Sequence, residues 1–256
     1  MIANYHTHTA RCNHASGIED DYVRCALEGG LEILGFSDHT PYIFPGNYYS
    51  NFRMRPERMA DYCSSVLTLK DAYAGRIKIH LGLEMEYYPA FFGAVMEFVR
   101  RFPVEYMILG QHFVGNEIGY PYSGTATSDV AVLAQYRDQS IKAMETGLFS
   151  YMAHPDLLHF TGSDDDYRAH MRRLCKAAKE TDVPLEINLL GMRDHRHYPD
   201  WRFWEVAAEE NCTVIFGSDA HSPETVTDPA SERQALEVVR RLGMKRIDLL
   251  PIRSIR

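Results

Sequence analysis

Residues 77 to 84 read Ile77-Lys78-Ile79-His80-Leu81-Gly82-Leu83-Glu84. Successive side chains of a strand point to opposite faces, so Ile77, Ile79, Leu81 and Leu83 form one apolar row, while Lys78, His80, Gly82 and Glu84 form the other. Such a strand lays its apolar row under helices and turns the second row inward, where it ends on a carboxylate. Six more β-rich runs, at roughly 2–6, 32–37, 105–111, 148–153, 184–189 and 213–218, have boundaries good to about 2 to 4 residues. They alternate with amphipathic stretches, which predicts seven βα units and a largely parallel sheet. The clearest helix is expected over 56–74, with Pro56 at its first position and Gly75 as its stop; another is expected over 166–180. No Gly/Ser linker or repeat divides the chain, so residues 1–256 are expected to form one domain, near the ~250 residues of a βα barrel. Loops 40–55 and 114–127 follow strand ends, where barrels build their active sites.

The composition narrows the chemistry. A net charge of -8 opposes binding to a polyanion, so no nucleic-acid partner is expected. The five cysteines, Cys12, Cys25, Cys63, Cys175 and Cys212, contain no CxxC pair, which points to reduced thiols and not to a disulfide framework or a thiolate zinc site. No signal-peptide pattern precedes the first strand and no run of 18 apolar residues occurs, so the expectation is a cytoplasmic protein with no membrane partner. A homo-oligomer is compatible with the composition.

Parity carries the inward row to the other strands. Asn4, His6 and His8 share a face, as do Ile33, Gly35, Ser37 and His39, leaving Asp38 on the opposite side as a support for His39. Tyr106, Ile108, Gly110 and His112 form the fourth inward row, His154 ends the fifth strand, and Ile215, Gly217, Asp219 and His221 share a face on the seventh. Six of the seven strands therefore end in a residue able to bind metal. A glycine stands two places before each of Glu84, His112 and Asp219, leaving room beneath a metal and its ligands. His14, on the loop after the first strand, is a further candidate. His80 lies ~13 Å below Glu84 along its strand and is set aside; His159, His170, His195 and His197 are expected on the surface or on substrate loops. Imidazoles mixed with carboxylates suit Zn, Fe or Mn, whereas Mg or Ca would take oxygen almost exclusively. His6, His8, His14, His39, Glu84, His112, His154, Asp219 and His221 are too many for one ion. A cluster of two to three divalent metals follows, able to stabilise both the attacking and the leaving oxygen of an in-line displacement.

In YHTHT (5 to 9), SDH (37 to 39), GLEMEY (82 to 87), GQHF (110 to 113), AHPD (153 to 156) and GSDAH (217 to 221) the chain resembles the polymerase and histidinol phosphatase (PHP) superfamily. FRMRPERMADY (52 to 62), ILGQHF and EINLLGMR (186 to 193) before Tyr198-Pro199 make it most similar to the stand-alone histidinol-phosphate phosphatases. The resemblance implies a distorted (β/α)7 TIM-like barrel, single domain, with a trinuclear site that releases phosphate from L-histidinol phosphate in histidine biosynthesis. It implies that His6, His8, Glu84 and Asp219 hold one metal, that Glu84 bridges to a second held by His112 and His154, and that His14, His39 and His221 hold a third. His159 departs from the basic residue that often follows HPDL in that family, so different phosphate contacts are expected there.

With such a cluster, a hydroxide bridging two ions is expected to attack phosphorus, with Glu84 and Asp219 as catalytic ligands and no covalent phospho-enzyme. Arg193, after the sixth strand, is the expected phosphate clamp, against the alternative of a surface salt bridge. Glu117, Tyr120 and Tyr122 are the acidic and aromatic candidates for an amine- and imidazole-bearing substrate, and His159 a further substrate contact. Three alternatives stay open: a phosphatase for another small phosphoester, a non-catalytic metal-binding module, and an amidohydrolase-type deacylase, against which stands the lack of a strand-end Lys.

Overall fold

The computed structural model describes residues 1–46 and 48–255. Its parallel strands lie in chain order: β1 (Ala3–Asn4), β2 (Ile33–His39), β3 (Lys78–Met85), β4 (Tyr106–Leu109), β5 (Tyr151–Met152), β6 (Leu185–Asn188), β7 (Thr213–Gly217) and β8 (Lys245–Arg246). Around them run α1 (Glu19–Glu28), α2 (Met59–Ala72), α3 (Phe92–Val99), α4 (Val130–Glu145), α5 (Asp164–Glu180), α6 (Leu189–Arg193), α7 (Trp201–Glu209) and α8 (Pro229–Leu242). The sheet curls into an incomplete barrel. Beyond β1, His8 N donates to Ala220 O at 2.9 Å and Ala220 N to His6 O at 3.2 Å, so the first and seventh strands meet at the mouth and close a seven-stranded rim.

The eighth strand corrects the expected count. Lys245–Arg246 pairs with the start of β7, through Thr213↔Lys245 and Val214↔Arg246, at the end of the barrel away from the mouth. Two largely polar residues carry no alternation for a pattern argument to detect. β1 and β5 are also shorter than expected, because the chain leaves the ladder to present side chains; His154, just past β5, has φ 29.

Helix boundaries follow local chemistry. Pro56 opens a 3-10 turn (Pro56–Arg58) that runs into α2, which ends at Ala72 with Tyr73 as its C-cap; Gly75, the expected stop, lies in the turn beyond at φ 79. Ser163 caps α5 by accepting from Asp166 N, and three aspartates in its first turn face the positive end of the helix dipole. Asp228 caps α8 ahead of Pro229, and Gly243 ends it in the left-handed region at φ 66.

The two rows of β3 separate two cores. Ile79, Leu81 and Leu83 pack under the helices with Tyr62, Cys63 and Val66 of α2; each is at most 1% exposed and contributes roughly 1.5 to 3 kcal/mol by burial. Inside the barrel, Tyr5, Tyr106, Ile108, Tyr151, Ile215 and Leu250 form a separate apolar floor. Tyr106 OH donates to Tyr5 O at 2.8 Å, and a Cβ on Gly82 would lie 2.2 Å from its ring. The plug raises the polar inward residues to the rim. No helix among the described residues is long and apolar enough to cross a membrane.

Candidate metal centre and its cavity

At the rim, Glu84 of β3 divides its oxygens between two groups of imidazoles. Its Oε2 lies 3.0 Å from His39 Nδ1 and 3.6 Å from the Nε2 atoms of both His6 and His8. Its Oε1 lies 2.9 Å from His154 Nε2 and 3.4 Å from His112 Nε2. Asp219 Oδ1 stands 3.1 Å from His8 Nε2 and 3.4 Å from His6 Nε2. On the solvent side, His14 Nε2 and His221 Nε2 are 2.9 Å apart. Donor atoms of His6, His8 and Asp219, of His6, Glu84 and His154, and of His14, His39 and His221 each fall within 4.8 Å of one another. The structure thus brings together all nine side chains named from parity and resemblance. Two come from a left-handed backbone, His154 at φ 29 and Asp219 at φ 48, a conformation costing about 1 to 3 kcal/mol for a non-glycine residue.

The donor set fits divalent cations. His6 Nε2, both nitrogens of His8, His39 Nδ1 and Glu84 Oε2 are buried and lack a hydrogen-bond partner within the protein. Each such atom costs about 1 to 3 kcal/mol if nothing satisfies it, so a cation is the economical explanation for their convergence. Burial would raise the Glu84 carboxyl, but His112, His6 and His39 outweigh it and hold it well below the usual carboxylate range. Asp219 is held low in the same way by His6 and His8. Burial and the His8 charge push His39 well below the ordinary histidine value and His221 down to about 3. The ionised carboxylates and the neutral His39 and His221 are in the states that bind metal, whereas the same carboxylates outweigh burial and hold His6 and His8 above the ordinary histidine value, so a cation must displace their protons.

Second partners orient these rings. His6 Nδ1 contacts Glu186 Oε2 at 2.9 Å, and Asn188 Nδ2 donates to Glu186 Oε1 at 2.7 Å and to Asp219 Oδ2 at 3.1 Å. His112 Nδ1 contacts Glu86 Oε1 at 2.8 Å. Asp38, expected to support His39, accepts from its backbone N at 2.8 Å; its Oδ1 also lies 3.6 Å from His8 Nδ1. The glycines make room for different neighbours: a Cβ on Gly110 would lie 2.0 Å from Glu84 Oε1, and one on Gly217 would lie 2.1 Å from Glu186 Oε2. His80 faces Glu105, away from the rim.

A cavity of about 530 Å³ opens over the centre, lined by a contiguous aromatic group of Phe52, Phe113 and Tyr122 and by Arg193, Asp194, Arg196 and Tyr198. Arg193 lies at the end of α6 and not on a loop, because Asn188 caps a helix there by accepting from Gly191 N. It borders the cavity while its Nη1 pairs with Asp228 Oδ2 at 3.3 Å, the salt bridge expected as the alternative to a phosphate clamp. Three expected substrate contacts are corrected. Glu117 is turned into the protein against the Arg53 guanidinium. Tyr120, 47% exposed, covers Gly115 outside the cavity. His159 stacks on His197 with centroids 4.3 Å apart in a separate surface groove. Sequence reasoning missed Arg196, whose Nη1 donates to the Tyr198 hydroxyl at 3.1 Å; its only signal was a position three residues beyond Arg193.

A rim of imidazoles and two shared carboxylates above an apolar plug defines a barrel phosphoesterase site, and residues 4–189 match the PHP domain. The chain belongs to the PHP family. It is 29% identical to the "Probable histidinol-phosphatase" of Deinococcus radiodurans, over 88% of each chain. It is 25% identical to the histidinol-phosphatase of Bacillus subtilis, over 84% of this chain and 92% of the other. Among solved structures, the histidinol phosphate phosphatase of Lactococcus lactis, complexed with zinc, L-histidinol and phosphate, superposes with a TM-score of 0.75 at 19% identity. That match covers 99% of this chain and 97% of the other, and it establishes the shared fold.

Proposed function

We propose that this protein hydrolyses L-histidinol phosphate to L-histidinol and phosphate, using two to three divalent ions of the Zn, Fe or Mn type. The observation that carries the reading is the set of buried, unpartnered imidazole and carboxylate atoms converging beneath a cavity walled by arginine. His6, His8, Glu84 and Asp219 would hold one ion, Glu84, His112 and His154 a second, and His14, His39 and His221 a third. Ions there supply a nucleophile at neutral pH and neutralise charge on the phosphoryl oxygens.

The remaining work falls to the chain. Arg196 sets a permanently charged guanidinium on the cavity wall and binds the phosphate dianion together with Arg193. The Phe52, Phe113 and Tyr122 wall accepts a flat ring, and Asp194, which lines the cavity outside the metal centre and pairs with Arg196 at 3.2 Å, supplies a carboxylate for an ammonium group. Cys12, buried beside His8 and His221, has its thiol pushed up by burial and by Asp38, so it is no thiolate nucleophile. Phosphate release by the metal-replete protein, measured on L-histidinol phosphate beside a panel of sugar, amino-alcohol and aryl phosphates, tests the reading. A kcat/KM for L-histidinol phosphate at or below that of the others would refute the substrate, and no turnover of any of them would refute the enzyme.

A further inference from the structure

The polar group that the reaction leaves unassigned lies behind His112. Arg53 is 1% exposed, and its guanidinium packs 4.4 Å from the Phe52 ring and 5.3 Å from the Tyr42 ring. Nη1 donates to Thr40 O at 2.7 Å and to Glu86 Oε2 at 3.1 Å; Nη2 donates to Glu86 Oε1 at 2.9 Å and to Glu117 Oε1. Tyr48 OH approaches the other Glu117 oxygen at 3.5 Å. Glu86 is fully buried, and its Oε1 accepts from His112 Nδ1 at 2.8 Å. One hydrogen-bonded chain therefore runs from the two mouth loops, 40–55 and 114–127, through Glu117, Arg53 and Glu86 to His112.

A carboxylate against Nδ1 fixes the proton there, leaves the Nε2 lone pair free for a metal, and raises the basicity of the ring. How strongly Glu86 does this depends on how much of its charge Arg53 draws off. Glu117 competes for the same guanidinium, so it leaves Glu86 the better acceptor.

We propose that Glu86 is the positioning residue of His112, and that Arg53, shared with Glu117, ties the grip of His112 on its metal ion to the two loops that form the mouth of the cavity. The inference rests on the metal-binding reading above. It gives a direction: removing the Glu117 charge concentrates Arg53 on Glu86, lowers the basicity of His112 and loosens one ion of the cluster, leaving the others untouched.

The test uses zinc-loaded full-length protein, a competing chelator, elemental analysis over time and the melting temperature of the metal-free protein. In Glu117→Gln, one zinc equivalent is expected to leave about tenfold faster than in the wild type, at the low end of what an outer partner of a ligand contributes. The other equivalents keep their rate, and the metal-free melting temperature stays within a few degrees. Glu86→Gln is expected to lose the same equivalent faster still, with a shifted His112 Nδ1–H resonance in proton–nitrogen spectra. If Glu86→Gln does not fold, Glu117→Gln decides alone. Wild-type release of every equivalent in Glu117→Gln, or faster release of all of them together with a lower metal-free melting temperature, would make the chain a structural tie and overturn the proposal. A wild type that holds no zinc would overturn the metal centre itself, and the coupling with it.

Discussion

Gly110 offers the sharpest test of the central role of Glu84. An added Cβ would lie 2.0 Å from Glu84 Oε1 and 2.6 Å from its carboxyl carbon, whereas an ordinary contact needs about 3.5 Å. In Gly110→Ala the carboxylate must therefore retreat by roughly 1.5 Å. Alanine strains no backbone here, since Gly110 is not among the positive-φ glycines, and the atom that must yield belongs to a side chain. The fold should survive while the carboxylate shared by His39, His112 and His154 is displaced. A misplacement of about 1 Å in a catalytic constellation costs on the order of 100-fold in rate, or about 2.7 kcal/mol of transition-state stabilisation. Gly110→Ala should accordingly lower kcat/KM on L-histidinol phosphate by about 100-fold, with circular dichroism unchanged and at least one metal equivalent lost. A variant within threefold of wild type at full metal content would refute the reasoning, because Glu84 would then not need the place it occupies.

Three further outcomes follow from the same geometry. Glu84→Gln should reduce activity more than His14→Ala, because the Glu84 oxygens face both groups of imidazoles, whereas His14 is exposed and belongs to one group, with His39 and His221; equal losses at equal metal content would exclude a bridging role. Arg196→Ala should lower kcat/KM by about 10- to 100-fold, the scale of a charge-assisted contact, and Arg193→Ala by less, since Arg193 is shared between two carboxylates, Asp228 at 3.3 Å and Asp194 at 3.8 Å, whereas Arg196 has one, Asp194 at 3.2 Å; the reverse order would restore Arg193 as the main clamp. Finally, burial opposes protonation of His8, but Asp219 and Asp38 raise it to about 9 in the metal-free protein. Metal must displace that proton, so zinc affinity should rise with pH toward 9 and fall as His8 protonates below it. Titration calorimetry in buffers of different ionisation enthalpy at pH 7 would register the released proton, and its absence would refute the assignment.

Which parts of this site can be read from the sequence depends on whether they are properties of one segment or of two. The inward row of β3, the closing HxH of the first strand and the aspartate and histidine after β7 follow a period of two, and that period survives folding because it is the geometry of the strand itself. The rim residues carried by strand ends are therefore legible, whereas His14, on the loop after the first strand, has no period to place it. Glu186 and Asn188 can be placed on an inward row, but nothing local says that Glu186 reaches His6, 180 positions away. Glu117 shows the same limit with the opposite result. An acidic residue on a mouth loop suits a cationic substrate until Arg53, 64 positions earlier, takes its charge, and no pattern within either loop encodes that pairing.

The glycines make the distinction physical. At Gly82, Gly110 and Gly217 the missing side chain signals that something approaches closely, and the rim position suggests room for a metal and its ligands. In the fold, the three spaces are taken by the Tyr106 ring, the Glu84 carboxylate and the Glu186 carboxylate. Only the second belongs to a candidate ligand; the first is the plug that lifts the rim into solvent, and the third orients His6. A residue without a Cβ records that a contact is made from one side, and the identity of the visitor is written elsewhere in the chain. For the same reason Gly110→Ala is expected to act on the centre directly. The same change at Gly82 should act on the barrel floor, lowering stability before chemistry, because there the obstructed group is a buried ring with no room to retreat.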